Sequence, residues 1–221
     1  MKQNYQKELE KILAQEAERG KSLFLHSCCA PCSSYVLLYL RTFFRITVFY
    51  YNPNITQQEE YEKRVAEQKR LIAALNRELE QPGTEGFPIA MQEGPYVPEL
   101  FFRAVRGLET CPEGGRRCRL CFAMRLEETA RQAKAGEFAY FTTTLTISPL
   151  KDAEVLNRIG QEMARRYGIC FLPSDFKKRG GYQTSVLLSR TYDLYRQDYC
   201  GCIFSREQRE KDREKRLQAE D

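Results

Sequence analysis

Histidine is almost absent from this sequence, and its absence limits the kinds of metal site that the chain can build. His26 is the only histidine among 221 residues, and tryptophan does not occur at all. Zinc fingers that bind through histidine pairs are therefore excluded, and any metal must be held mainly by thiolates. Thiolates are soft ligands, which favour zinc or iron–sulfur centres.

Long apolar runs are also missing. The longest, residues 36–40 and 46–51, are much shorter than the roughly 18–20 residues that span a bilayer. The N-terminus, Met-Lys-Gln-Asn-Tyr-Gln-Lys-Glu, has no apolar segment of the kind that a secretory signal needs. We therefore expect a cytoplasmic protein with no membrane partner.

Cysteine, in contrast, is abundant, and most of it is clustered. Seven of the nine cysteines form three short groups. These groups are Cys28-Cys29-x-x-Cys32, Cys118-x-x-Cys121 and Cys200-x-Cys202. In a reducing compartment, clusters of this kind indicate metal binding or redox chemistry rather than structural disulfides. The two isolated cysteines, Cys111 and Cys170, are predicted to be packing residues.

The order of the apolar segments predicts an α/β fold. Short strands at 22–25, 46–51, 87–91, 138–143 and 169–172 alternate with helical segments, as in proteins with a parallel sheet flanked by helices. We expect a single domain over residues 1–221, with a Rossmann-like core at 22–205. An N-terminal helix (1–20) and a charged C-terminal tail (206–221) are predicted to be appendages. The sequence Thr56-x-x-Glu59 predicts a capping box at the start of the third helix.

The first cysteine group follows the predicted strand 22–25 and leads into a helix. Ligands bind at this C-terminal edge of the strands in open α/β sheets, and free amides at a helix N-terminus favour thiolate. Cys29-Ala-Pro-Cys32 alone is typical of a thioredoxin-like disulfide reductase, but that interpretation leaves Cys28 unexplained. A phosphate-binding loop needs glycine. Residues 27–34 contain none, so ATP is not expected here.

The second group places two more thiols one helical turn apart. Together with Cys28 and Cys29, the thiolates of Cys118 and Cys121 make four ligands, which suit either structural zinc or a 4Fe–4S cluster. Spacing does not separate these two metals. A zinc-stabilised module without catalysis is therefore the alternative to an iron–sulfur enzyme.

The third group, Cys200-Gly-Cys202, indicates redox chemistry. Two cysteines one residue apart can close into a small, strained disulfide, and such a bond is easily reduced. The alternative is that both thiols are additional metal ligands.

The formal net charge is +5, and the basic residues are unevenly distributed. The tail 206–221 has six basic and six acidic residues, so the excess positive charge belongs to the folded body. It gathers around the second cysteine group, at Arg103, Arg106, Arg116, Arg117, Arg119 and Arg125. Since phosphate contacts supply much of the affinity for nucleic acids, we expect a polyanionic substrate. Tyr51 and Tyr182 are available to stack on an unpaired base.

Several motifs taken together resemble one family. They are His26-Ser-Cys-Cys-Ala-Pro-Cys32, Tyr51-Asn-Pro-Asn-Ile55, Glu60-Tyr61 with Arg64, Arg117-Cys-x-x-Cys121 with Arg125-Leu126, Thr142-Thr-Thr-Leu145, Ser148-Pro-x-Lys151 and Tyr199-Cys-Gly-Cys202. The combination, which runs from about residue 22 to 205, is similar to the cobalamin-independent epoxyqueuosine reductases of the QueH type.

The resemblance implies the last step of tRNA queuosine biosynthesis. In that reaction the epoxide of epoxyqueuosine, at the wobble position of tRNA, is reduced by two electrons to the alkene of queuosine. The implied cofactor is a 4Fe–4S cluster, so we expect an iron–sulfur oxidoreductase whose partner is tRNA carrying epoxyqueuosine. The electrons come from a donor that the sequence does not identify.

The resemblance also implies roles for particular residues. The implied cluster ligands are Cys28, Cys29, Cys118 and Cys121. The implied redox-active disulfide joins Cys200 and Cys202. Cys32 is a candidate ligand for a second, mononuclear metal ion, and an iron or this second metal is expected to act as a Lewis acid on the epoxide oxygen. The residues expected to bind the substrate are Tyr51, Asn52, Asn54, Arg117, Arg125 and Lys151.

No motif identifies the proton donor. An epoxide oxygen that leaves as water needs two protons as well as two electrons. His26, Asp175 and Tyr51 are the candidates. For His26, a core histidine with satisfied hydrogen bonds is the favoured interpretation.

Overall fold

Strands and helices alternate along the chain in the computed structural model, which describes residues 3–220. The strands of this part of the chain are β1 (Ser22–His26), β2 (Arg45–Tyr50), β3 (Ala90–Glu93), β4 (Tyr140–Thr143) and β5 (Cys170–Phe171). Its helices are α1 (Tyr5–Leu13), α2 (Ala30–Leu40), α3 (Gln58–Glu78), α4 (Pro98–Ala104), α5 (Arg116–Ala135), α6 (Ala153–Tyr167), α7 (Gly181–Thr191) and α8 (Ile203–Glu220). Short 3-10 turns lie at Glu16–Glu18 and Thr144–Ile147.

The strands form one parallel sheet in the order β3-β2-β1-β4-β5. Leu23 of β1 lies opposite Ile46 of β2 on one side and opposite Tyr140 of β4 on the other. The chain therefore winds outward from β1 in both directions, which leaves a switch point between the C-terminal ends of β1 and β4. This parallel sheet flanked by helices confirms the predicted α/β fold.

Helices cover both faces of the sheet because the buried side chains of β1 alternate between them. Leu23 and Leu25 belong to a cluster that also contains residues of α1, α2 and α3. Phe24 belongs to a second cluster, with residues of α5 and α6. All three side chains are fully buried. Leu9 lies in the first cluster, so α1 contributes to the same core.

Two local predictions are wrong. Gln57 precedes α3 without a side-chain capping hydrogen bond, so the Thr56-x-x-Glu59 capping box does not form. The backbone N–H of Thr56 donates instead to the carbonyl of Gly201 (3.3 Å), which holds residue 56 outside the helix. Cys170 is exposed because it lies on an edge strand whose next residue, Phe171, is the buried one. Cys170 is therefore not a packing residue.

The C-terminal helix α8 begins immediately after Cys202. Its first turn is anchored, since Ser205 is buried and its hydroxyl accepts from the backbone N–H of Cys200 (3.1 Å). Beyond this turn most described side chains are exposed, and Arg206 pairs with Glu210 one turn later (2.9 Å). Among the helices of residues 3–220, none combines the length and the apolar character needed to cross a membrane.

Candidate active site

The first cysteine group lies at the switch point of the sheet. Residues 27–29 join β1 to α2, and Cys29 precedes the helix with an extended backbone (φ −175°). Pro31 suits the first helical turn, where a missing N–H leaves no hydrogen bond unmade. This tight turn brings the Sγ atoms of Cys28, Cys29 and Cys32 within 4.8 Å of one another.

These three cysteines, here called the thiol trio, are placed to hold a metal ion. The Sγ atoms of Cys28 and Cys29 are 3.8 Å apart. Within the described part of the chain, the thiol trio is the only set of three or more cysteine, histidine or acidic side chains whose ligand atoms come this close. Its soft sulfur atoms favour the same metals that the sequence predicts.

Hydrogen bonds within the thiol trio give its members different acidities. The thiols of Cys29 and Cys32 donate to Cys28 and hold the pKa of Cys28 well below its usual range, although burial acts in the opposite sense. The same contacts with Cys28 raise the pKa of Cys29 to about 12 and also raise the pKa of Cys32. Without a metal, the negative charge of the trio therefore resides on Cys28.

The second and third cysteine groups share a narrow cavity. Cys118 and Cys121 lie in the first turns of α5, and Cys200 and Cys202 precede α8. All four line this cavity, together with two phenylalanine side chains. Burial raises the pKa of Cys121 to about 11 and the pKa of Cys202 to about 12, so neither thiol ionises readily unless a metal or a cation compensates the charge.

Cys200 belongs both to the narrow cavity and to a larger one. The larger cavity has a volume of about 520 Å³, and its lining includes the thiol trio as well as Cys200. The carboxylate of Glu113 also lines both cavities. All seven clustered cysteines therefore face two adjoining cavities, with the thiol trio in the larger and the two α5 cysteines in the narrow one.

Three predicted substrate-binding cations line these cavities, and none of them pairs with a carboxylate of the described residues. Arg117 and Arg125 line the narrow cavity, and Lys151 lines the larger one. Arg125 is fully buried. Its Nε donates to the carbonyl of Cys121 (3.2 Å), and its Nη2 has no hydrogen-bond partner. Positive charge is thus directed at the thiols. Glu113 lines both cavities as well, but among the described residues it forms no ion pair with these cations.

The thiols and these cations stabilise each other's charged forms. Burial disfavours the charge of Arg125, but the facing thiols of Cys121 and Cys200 raise its pKa. Cys200 and Cys28 raise the pKa of Lys151 in the same way. A buried cation without an anion is costly, so thiolates bound to a metal would compensate both charges. The donor set therefore fits a thiolate-bound metal centre, a 4Fe–4S cluster included.

Three of the predicted substrate-binding residues are buried and do not line the cavities. Tyr51, Asn52 and Asn54 are each at most 4% exposed, and none of the three lines either cavity. Asn52 donates through Nδ2 to the carbonyl of Ser27 (2.8 Å) and accepts from Nη1 of Arg125 (3.4 Å). Asn52 therefore joins the first cysteine loop to Arg125 through hydrogen bonds.

None of the three candidate proton donors lines either cavity. His26 is fully buried; its Nε2 donates to the carbonyl of Tyr51 (3.1 Å), and its Nδ1 accepts from the hydroxyl of Thr143 (2.9 Å). Burial lowers the pKa of His26 to about 3. It is a neutral core histidine with satisfied hydrogen bonds, as predicted. Asp175 forms an ion pair with Lys177 (2.5 Å).

Basic side chains that the sequence did not single out line the larger cavity. Arg196 comes from the segment before the third cysteine group, and Arg209 comes from α8. The prediction of a solvated tail is wrong for Arg209, because its side chain is half-buried and its Nε is buried without a partner. No local sequence pattern singles out Arg209, because its place in the cavity depends on where α8 packs.

We expect Cys28 to be the most reactive member of the thiol trio. In reduced, metal-free protein at about pH 7, Cys28 should react with iodoacetamide at least roughly tenfold faster than Cys32, because the thiolate is the nucleophile. Cys32 is the matched control, since both residues are half-buried. Tandem mass spectrometry of the tryptic peptide 22–41 gives both rates. Faster alkylation of Cys32 would contradict the assignment of the charge to Cys28.

The sequence of this chain matches a family of known proteins. Residues 23–208 match the model of the family described as Epoxyqueuosine reductase QueH. A relative of that name from Streptococcus pyogenes is 42% identical over 198 residues, which cover 90% of this chain and 75% of the relative. A relative of that name from Staphylococcus epidermidis is 40% identical over 207 residues, which cover 91% of this chain and 84% of the relative. One from Thermotoga maritima is 35% identical over 194 residues, which cover 86% of this chain and 93% of the relative. The chain belongs to the epoxyqueuosine reductase QueH family.

Proposed function

We propose that this protein reduces the epoxide of epoxyqueuosine, at the wobble position of tRNA, to the alkene of queuosine, the last step of queuosine biosynthesis. Membership of the QueH family supports this activity. The observation that carries it is the convergence of three cysteine groups on two adjoining cavities. In this proposal the protein is a cytoplasmic iron–sulfur oxidoreductase.

The third cysteine group can supply the electrons and the protons of this reaction. Removal of the epoxide oxygen as water consumes two electrons and two protons. When the dithiol of Cys200 and Cys202 closes, it forms one S–S bond and releases two electrons and two protons, so the two half-reactions balance. An external electron donor then reduces the disulfide for the next turnover.

The position of Cys200 supports this role. It lines the larger cavity together with the thiol trio, and it also lines the narrow cavity that contains Cys202. Gly201, between the two cysteines, has a φ of +114°, a conformation that glycine adopts without strain. All nine cysteines, which lie within residues 3–220, carry free thiols.

We assign a 4Fe–4S cluster to Cys28, Cys29, Cys118 and Cys121, and a second metal ion to Cys32. When bound, the cluster would supply electrons one at a time. Arg125 supports a shared centre, because thiols of both groups raise its pKa: Cys121 and Cys118 from α5 and Cys28 from the first loop, together with Cys200. Its uncompensated charge, with that of Lys151, suits a centre of net negative charge.

The larger cavity suits a modified nucleoside with its flanking phosphates. Its volume of about 520 Å³ falls in the range of small-ligand pockets, roughly 300–1,000 Å³. Tyr182 in its lining offers an aromatic face for a base, and Arg196 and Arg209 offer charges for phosphates. We place the epoxide-bearing ring against the thiols of Cys28 and Cys200, which line the same cavity.

The reductase activity is tested with tRNA that carries epoxyqueuosine. With dithionite as reductant and oxygen excluded, mass spectrometry of the digested tRNA should show conversion to queuosine. Cys200→Ser and Cys202→Ser should each lower the multiple-turnover rate by at least about a hundredfold, because neither variant can close the disulfide. The matched control is Cys170→Ser, at the exposed and isolated cysteine, which should keep the full rate.

Three results would contradict this function. Full activity of both serine variants would exclude the dithiol step. Bound zinc and tight tRNA binding without any queuosine would indicate a zinc-stabilised binding module. Reduction of protein disulfides that survives Cys118→Ala would indicate a thioredoxin-like reductase.

Arg209 is expected to bind a phosphate of the tRNA. Arg209→Ala should raise KM for the tRNA by roughly three- to tenfold with little effect on kcat. A plot of the logarithm of the tRNA-binding constant against the logarithm of the salt concentration should become shallower by about one unit of slope. The matched control is Arg213→Ala, at an exposed position on the same helix, which should leave both quantities unchanged. Equal effects of the two substitutions would mean that α8 contributes only general charge.

A further inference from the structure

Arg64, in the second turn of α3, directly contacts the segment that carries Cys200. It is 2% exposed and lines the larger cavity. Its Nη1 donates to the carbonyl of Cys200 (3.3 Å), and its guanidinium carbon lies 5.3 Å from the centre of the Tyr199 ring. Its Nη2 is buried without a hydrogen-bond partner. The mechanism above assigns Arg64 no role.

One face of α3 holds the segment that leads to Cys200. Residues 60, 64 and 67 are spaced by four and three, so they share this face. Glu60 accepts from Nε of Arg64 (2.6 Å) and from the hydroxyl of Tyr195 (3.1 Å). Glu67 accepts from the backbone N–H of Tyr195 (2.7 Å). The segment is therefore tied to α3 at Tyr195 and again, through Arg64, at Cys200.

Gly201 shows how closely the same segment is packed. A Cβ at this position would lie 2.9 Å from Cγ1 of Ile55 and 3.2 Å from Nη1 of Arg64. The carbonyl of Gly201 accepts from the N–H of Thr56 (3.3 Å). The loop that carries the two cysteines is thus held between Arg64 and residues 55–56, in a space that admits only glycine.

We propose that Arg64 is a positioning residue for the Cys200–Cys202 pair and holds its loop in the dithiol conformation that faces the larger cavity. The inference rests on the redox role proposed above for this pair. On closure, the two thiols lose two electrons and two protons and form one S–S bond. The electrons and protons reduce the epoxide during catalysis and oxidised dithiothreitol during a redox titration. The Arg64 contact is made with both thiols free. Cys200 lines the larger cavity and Cys202 does not, so closure of the disulfide has to bring the two thiols together. A contact that fixes Cys200 at the larger cavity favours the dithiol, and its loss shifts the equilibrium toward the disulfide.

The test is a redox titration of the purified, metal-containing protein in dithiothreitol buffers. Samples are quenched with acid and alkylated, and mass spectrometry quantifies the tryptic peptide 197–206, which contains both cysteines. For Arg64→Met we expect the equilibrium constant between dithiol and disulfide to shift about tenfold toward the disulfide, the size expected when a hydrogen bond from a charged donor is lost. This change equals about 30 mV toward a more negative potential. With the tRNA substrate, kcat should fall while KM stays within about twofold.

Three further variants separate positioning from a general effect on folding. Arg64→Lys keeps the charge and should restore part of the shift. Tyr195→Phe removes only the hydroxyl that orients Glu60, and it should shift the equilibrium by about two- to threefold in the same direction. Arg77→Met, at an exposed position on the same helix, should leave the potential unchanged. If Arg64→Met does not fold, Arg64→Lys and Tyr195→Phe carry the test.

The titration needs no tRNA, so the inference and the proposed function fail in different ways. A wild-type protein whose peptide 197–206 never forms the disulfide would overturn the redox role of the pair, and the role of Arg64 with it. A normal wild-type titration, with an unchanged potential in Arg64→Met and Tyr195→Phe, would overturn the role of Arg64 alone. Absence of epoxyqueuosine reduction together with the expected shift would overturn only the proposed substrate.

Discussion

The positive charge of Arg125, buried among cysteines, is the constraint on which the site depends. A guanidinium does not lose its proton in a protein, and the contacts of Arg125 within the described residues include no carboxylate. The surrounding groups must therefore supply the negative charge. Cys121, Cys200, Cys28 and Cys118 are the nearby sources. One cation thereby links the loop after β1 to α5 and favours metal-bound thiolates in both.

The fold brings these groups together from distant parts of the chain. The strand order places the thiol trio at the switch point of the sheet, where open α/β sheets bind their ligands. Asn52, after β2, joins the first cysteine loop to Arg125. On another side, the face of α3 fixes the segment before Cys200. Two separate supports, one for the first cysteine loop and one for the segment that leads to Cys200, thus meet at the larger cavity.

The sequence predicted the features that depend on local pattern. The alternation of strands and helices, the grouping of the cysteines and the core position of His26 all follow from residues close to one another in the chain. Features that depend on distant contacts could not be predicted. The N–H of Thr56 is taken by Gly201, far along the chain, so the capping box fails. Arg209 reaches the cavity only because α8 begins directly after Cys202.

Metal content tests the central claim most directly. After purification without oxygen, we expect about four iron atoms and about four acid-labile sulfides per chain, with a broad visible absorbance that bleaches when dithionite is added. These values would establish that the chain binds an iron–sulfur cluster, as the buried charge of Arg125 among cysteines leads us to expect. Zinc without sulfide, even after reconstitution with iron and sulfide, would contradict the account.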